Sequence, residues 1–294
     1  MAEFLKVGVL ENRVKKMGKK IKMRMKSRME NKKRKVESAK SNKEESFLTG
    51  IQGFDSLVDG GFPTGMATLV EGGPGSGKTV FCLNLAINAC KKGKKVLYMS
   101  FEEPEFRLRS HMKNFGWDSE QYEKNGKLMI RRFNALDIAR SVEALLSEAK
   151  KELLIDVQPV LIPKDFEPDI VLVDSLSSIA SAFSGEESRF RIYMEQLFRY
   201  LESHKITSFL IRETANPTHL GGIFVEPGEA VSFLSDGIIS IYSVFYETGR
   251  RGRALEIIKL RGTDIKRMVM EANIVKGKGF VVYNTPLKGK YKLT

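Results

Sequence analysis

The sequence predicts an α/β fold: a mostly parallel sheet flanked by helices, passing into antiparallel strands on its C-terminal side. Three observations predict it. Short β-rich runs alternate with helical ones through the first two thirds of the chain, a glycine-rich turn joins one of those runs to a helix, and after Asp236 strand runs follow one another with turns only. At 294 residues and 42% hydrophobic, the chain can bury an ordinary core and still carry an appendage.

The β-rich runs are Ala67 to Glu71, Lys95 to Glu103, Lys127 to Phe133, Asp169 to Ser175 and Ile206 to Glu213. Helical segments between them imply parallel pairing. Between the first two runs, Lys78 to Cys90 sets Phe81, Leu85 and Ala89 at four-residue steps, and Gly93 stands where a helix C-cap is expected. The runs "GIISIYSVF", "ALEIIKLRG" and "GFVVY" follow with no helix between them, as antiparallel hairpins do. No internal repeat occurs, so a tandem duplication of the fold is not expected.

Charge divides the chain near Glu45. Residues 1–45 hold 16 Lys and Arg against 6 Glu, a net of +10 out of the total +13, leaving +3 for residues 46–294. The expected organisation is a basic N-terminal extension over 1–45, helical or disordered, and a nearly neutral globular domain over 46–294. In the extension Leu10, Val14, Met17, Ile21 and Met25 recur at steps of three and four. An amphipathic helix with a cationic face would suit nucleic acid, an anionic membrane surface or a protein partner, and a solvated tail is the competing reading. No apolar run reaches the ~18 residues of a membrane span and no secretory signal is present, so a cytoplasmic protein without a transmembrane segment is expected. Cys82 and Cys90 lie about 12 Å apart if on one helix, too far for a disulfide. His111, His204 and His219 show no metal-ligand spacing.

The chemistry concentrates in "GGPGSGKT", Gly72, Gly73, Pro74, Gly75, Ser76, Gly77, Lys78 and Thr79, which fits G-x-x-x-x-G-K-[ST] between a strand and a helix. In such a P-loop the backbone N–H groups and the helix N-terminus cradle phosphate, the lysine reaches the outer phosphates and the threonine hydroxyl binds Mg²⁺. The cofactors expected are therefore ATP and Mg²⁺. A carboxylate at a neighbouring strand end completes the metal site, and "DIVLVD" offers Asp174, with Asp169 at the wrong end of the run. Glu102 and Glu103 follow another strand, where a carboxylate can orient or deprotonate the attacking water. Alternatively they are favourable charges at the next helix N-terminus.

These segments resemble the KaiC-like ATPases of the RecA superfamily. The resemblance runs through "FLTGIQGFDSLVDGGFPTGMATLVEGGPGSGKT", "SFEEPEFRLRSHMKNFGWD", "DIVLVDSLSSI", "FLSDGIISI" and "IIKLRGTDI", essentially Phe47 to Tyr283. It implies a RecA-like P-loop NTPase fold, a catalytic carboxylate in the Glu102–Glu103 pair, and a K-x-R-G-T segment at Lys259, Arg261 and Thr263. The basic side chains of that segment serve the nucleotide of a neighbouring subunit. A homo-oligomeric ring, with a hexamer as one candidate size, and a regulatory role through a protein partner are implied with it. In "IIKLRG", Lys259 and Arg261 share one face if the segment is a strand while Leu260 points inward, although solvated edge-strand charges would give the same pattern.

The chain departs from the family's clock proteins in three places. It carries one domain rather than two, its counterpart of their phosphorylated Ser–Thr pair is Ser232–Phe233, and its connection from Lys150 to Asp169 is longer. Glu213 in "IRET" replaces the glutamine usual in RecA-type recombinases, and the segments "ASAFSGEESRFR" and "NPTHLGGIFVEPGEA" hold few cations and few stacking aromatics. An alternative reading as a DNA-binding ATPase of recombination or repair, like the RadA paralogs, rests mainly on the basic extension.

Overall fold

The structure, a computed structural model, describes residues 46–140, 162–163, 165–183, 185–214 and 229–293. The basic extension, most of the Lys150–Asp169 connection and most of "NPTHLGGIFVEPGEA" lie outside the described residues.

A ten-stranded sheet carries the domain, in the order β11-β10-β9-β8-β3-β7-β6-β4-β5, with β12 also paired to β8. Six strands are mutually parallel: β3 (Ala67–Gly72), β4 (Val96–Ser100), β5 (Leu128–Arg132), β6 (Ile170–Asp174), β7 (Thr207–Glu213) and β8 (Gly237–Tyr246). β9 (Arg251–Leu260), β10 (Met270–Val275) and β11 (Gly279–Pro286) extend the sheet antiparallel, and β12 (Tyr291–Leu293) adds antiparallel to β8. The expected switch from parallel to antiparallel thus falls at β8. Near the start of the described chain, β1 (Ser46–Phe47) pairs with β2 (Phe62–Pro63).

The central parallel strands β3, β4, β6 and β7 are buried on both faces, which is why they read as apolar runs rather than alternating ones, whereas the edge strand β5 exposes Arg131 and Arg132. One face packs on helix α1 (Lys78–Lys91), where Phe81 meets Phe54 and Phe280 edge-on at ring distances of 5.2 and 5.4 Å. The other face packs on α4 (Leu176–Ala182) and α5 (Glu187–Ser203) through Leu176, Ile179, Tyr193, Met194 and Leu197. The short helices α2 (Glu105–Asn114) and α3 (Ser119–Lys124) follow β4, and α6 (Glu229–Leu234) precedes β8.

α1 ends as its sequence predicts. Gly93 donates to Cys90 O and Lys94 to Ala89 O, the paired bonds of a Schellman cap, with Gly93 at φ 84°. Two features differ from expectation. β4 ends at Ser100 rather than Glu103, because the Ser100 hydroxyl bonds both the N–H and the carbonyl of Glu103 and turns the chain off the sheet. Strand β10, "MEANIV", carries Glu271 and Asn273 and so lacks the apolar run that marks its neighbours.

Candidate functional site

β3 and α1 meet in the glycine-rich turn, and β6, β7 and the bend after β4 end beside it. Their C-terminal ends enclose a cleft of about 250 Å³ lined by Gly75, Gly77, Lys78, Thr79, Glu102, Asp174, Ser175 and Glu213, among others. Crevices at these strand ends are where parallel α/β sheets hold ligands.

Gly72 starts the turn where a side chain cannot fit: a Cβ there would stand 2.2 Å from Ile241 O. Lys78 lies across the loop and donates to Gly72 O and Gly73 O at 2.9 Å each, with Glu213 Oε1 at 3.5 Å. From β9, Arg253 braces the outside of the loop by donating to Ser76 O at 3.1 Å. Among the described residues the buried Ser76 hydroxyl has no hydrogen-bond partner inside the turn, while Pro74 and Gly75 are exposed at its tip. Such a cradle fits a phosphate chain, which would take over the ammonium now resting on carbonyls.

Thr79 Oγ1 donates to Asp174 Oδ2 at 3.0 Å, and the fully buried Tyr98 donates to the same oxygen at 2.6 Å. Burial pushes the Asp174 carboxyl up to about 6, against the lowering effect of the Tyr98 and Thr79 hydrogen bonds, with the charges of Glu102 and Glu103 pushing the same way as burial. A carboxylate so placed gains from a cation. Thr79 and Asp174 offer two hard oxygens, and no cluster of three or more His, Cys, Asp or Glu able to hold a metal occurs among the described residues. That pairing suits Mg²⁺, which keeps waters and phosphate oxygens as its remaining ligands. Asp169 sits at the opposite end of β6, capping Lys95 N–H at 2.7 Å.

The two glutamates part company after β4. Glu102 lines the cleft and accepts the hydroxyls of Ser175 and Ser178 on Oε1. Glu103 turns to α2, with Oε2 at 3.9 Å from both Arg107 and His111, and is not among the residues lining the cleft.

A family model described as the KaiC ATPase matches residues 47–286. The chain belongs to the KaiC ATPase family. Among its relatives is circadian clock protein KaiC3 of Synechocystis, 31% identical over 238 residues, a match that covers 81% of this chain and 45% of that protein. The chain therefore spans about half the length of that curated relative. A UPF0273 protein of Aeropyrum pernix is 32% identical over 248 residues, covering 80% of this chain and 92% of the relative. A solved KaiC-like protein of Pyrococcus horikoshii superposes with a TM-score of 0.63 at 28% identity, over 82% of this chain and 99% of that one. The domain is thus a P-loop ATPase domain of KaiC type, with the RecA-like sheet expected from the sequence.

The KaiC-type K-x-R-G-T segment lies away from this cleft. Lys259, the penultimate residue of β9, donates to Ser235 O at 2.5 Å and Ser232 O at 3.2 Å, and desolvation lowers its pKa. Arg261 donates to Asp236 Oδ1 at 3.0 Å and Phe233 O at 3.1 Å. The two share one side of the chain and Leu260 is buried, as expected, but they are not bare cations: the carbonyls ending α6 and Asp236 already engage them. Thr263 follows in the turn, half-buried. Phe233 is 75% exposed beside them.

Sequence reasoning missed Tyr98, Ser175, Ser178, Glu213 and Arg253 as members of the site. Position alone could have found Glu213, which ends the strand next to β3; Gly72 and Glu213 are register partners. Arg253 carries no such signal.

Proposed function

We propose that the cleft binds Mg-ATP and hydrolyses it, in a ring whose neighbouring subunit completes each site. One observation carries the reading: Lys78 and Thr79, Glu102, and Asp174, drawn from three separated stretches of chain, converge on a single cleft. Lys78 would leave the loop carbonyls for the outer phosphates, and Thr79 and Asp174 would hold the cation. That cation would neutralise the charge that develops on the phosphates during transfer. Glu102 would orient the attacking water and take its proton. Glu103, facing α2, is assigned a supporting electrostatic role rather than that of base.

Lys259 and Arg261 cannot act on this cleft from where they stand in the same chain, and this supports their acting on the nucleotide of an adjacent copy. Their existing carbonyl partners would hold the pair extended and ready. The ring is assigned a regulatory role exercised on a protein partner. Against a nucleic-acid grip by the core, Arg189 pairs with Glu186 at 2.7 Å and Arg191 with Glu195 at 3.2 Å, while Phe183 and Phe190 are buried against each other.

Isothermal titration with ATP tests the binding half. Lys78→Ala should abolish tight binding, since the loop has no other mobile cation. Asp174→Asn should weaken the Mg²⁺ dependence more than nucleotide binding itself. Unchanged affinity in the first variant, or an unchanged Mg²⁺ titration in the second, would contradict the corresponding assignment.

A further inference from the structure

Glu102 is anchored through one oxygen. Its Oε1 accepts Ser175 Oγ at 2.5 Å and Ser178 Oγ at 2.9 Å, and among the described residues no hydrogen bond reaches Oε2. The two serines are three residues apart around the start of α4, a spacing that puts their hydroxyls on one face. Glu102 itself sits in an exposed bend, where a glutamate without partners would sample several rotamers.

We propose that Ser178 is a positioning residue for ATP hydrolysis: with Ser175 it pins Oε1 of Glu102, fixes the carboxylate plane, and reserves Oε2 for the proton of the attacking water. The inference rests on the reading of Glu102 as the base. In the step concerned, the water oxygen bonds to the γ-phosphorus as its proton passes to Oε2. The bond from that phosphorus to the β–γ bridging oxygen breaks with its electron pair on ADP, and the proton then leaves Oε2 for phosphate or solvent. Two donors on Oε1 stabilise charge on that oxygen, which directs the proton to the other. Holding the rotamer before turnover removes an orientational cost from the transition state.

Ser178 is the serine that can be tested cleanly. Ser175 is the N-cap of α4 and adjoins Asp174, so changing it disturbs the helix start and the metal-side carboxylate together. Ser178 is half-buried, and it also borders a separate cavity of about 730 Å³ lined by Phe101, Arg132, Phe133 and Asn134. Removing its hydroxyl therefore leaves no sealed void.

The experiment measures kcat, KM, Mg-ATP affinity and melting temperature for full-length Ser178→Ala, Ser178→Thr, Glu102→Gln and the Ser178→Ala/Glu102→Gln double variant. Ser178→Ala should lower kcat by about tenfold, the size of one hydrogen bond to a charged group, with affinity and melting temperature unchanged. Ser178→Thr should recover most of that loss, and Ser178→Ala should cost nothing further in the Glu102→Gln background. A kcat unchanged or raised in Ser178→Ala, or the same tenfold loss persisting in the double variant, overturns the positioning role while leaving Glu102 as base. Full turnover in Glu102→Gln overturns the base assignment, and the positioning role with it.

Discussion

Tyr98 and Thr79 place two hydroxyls on the same oxygen of Asp174, and Tyr98 does so from complete burial, where an unmade hydrogen bond is costly. Tyr98→Phe removes one donor with little change of shape. It should raise the Mg²⁺ concentration needed for half-maximal nucleotide binding severalfold while the protein stays folded; a superimposable Mg²⁺ titration would show that Tyr98 only fills space. Glu102→Gln should keep Mg-ATP binding and lose turnover by about a hundredfold or more, the size expected of a general base, whereas Glu103→Gln, at a residue turned to α2, should cost far less. A rate assay on the two variants separates them. The spacing G-x-x-x-x-G-K-[ST] made Lys78 and Thr79 legible in the sequence, and a strand end made Asp174 legible. The partition between Glu102 and Glu103 was not, because it depends on the Ser100 turn that takes both glutamates off the strand. Tyr98 reads simply as a core strand residue until β4 is seen paired beside β6, with Ser100 opposite Asp174.

Among the elements, α1 shows how local chemistry sets an end that packing alone would not. Gly93 at φ 84° lets Lys94 reach back to Ala89 O, and a Cβ at Gly93 would meet no atom of the described residues within 4 Å. Gly93→Ala should therefore cost only the backbone penalty, about 1 kcal/mol, and lower the melting temperature by about 2–4 °C. No change in melting temperature would mean that the chain relaxes the cap at no cost. The central parallel strands were legible because burial on both faces leaves continuous apolar runs. β10 and β12 were not: β10 mixes Glu271 and Asn273 into its run, and β12 spans three residues that pair with β8 only through the fold.

At the scale of the whole molecule, the cleft supplies lysine, hydroxyl and carboxylates from one chain, while Lys259 and Arg261 stand on β9 and just beyond it, bound to the end of α6. Under the proposed function the two meet across a subunit boundary, and an arginine acting in this way contributes about 10³ to 10⁵ in rate. The most direct measurement mixes two inactive variants, Arg261→Ala and Glu102→Gln, under conditions where subunit exchange is demonstrated, and follows ATP turnover. Some sites in the mixed rings would pair an intact Glu102 with an intact neighbouring Arg261, so the account predicts that part of the lost activity returns. No recovery despite exchange, or full activity of the unmodified protein as a strict monomer, would contradict it.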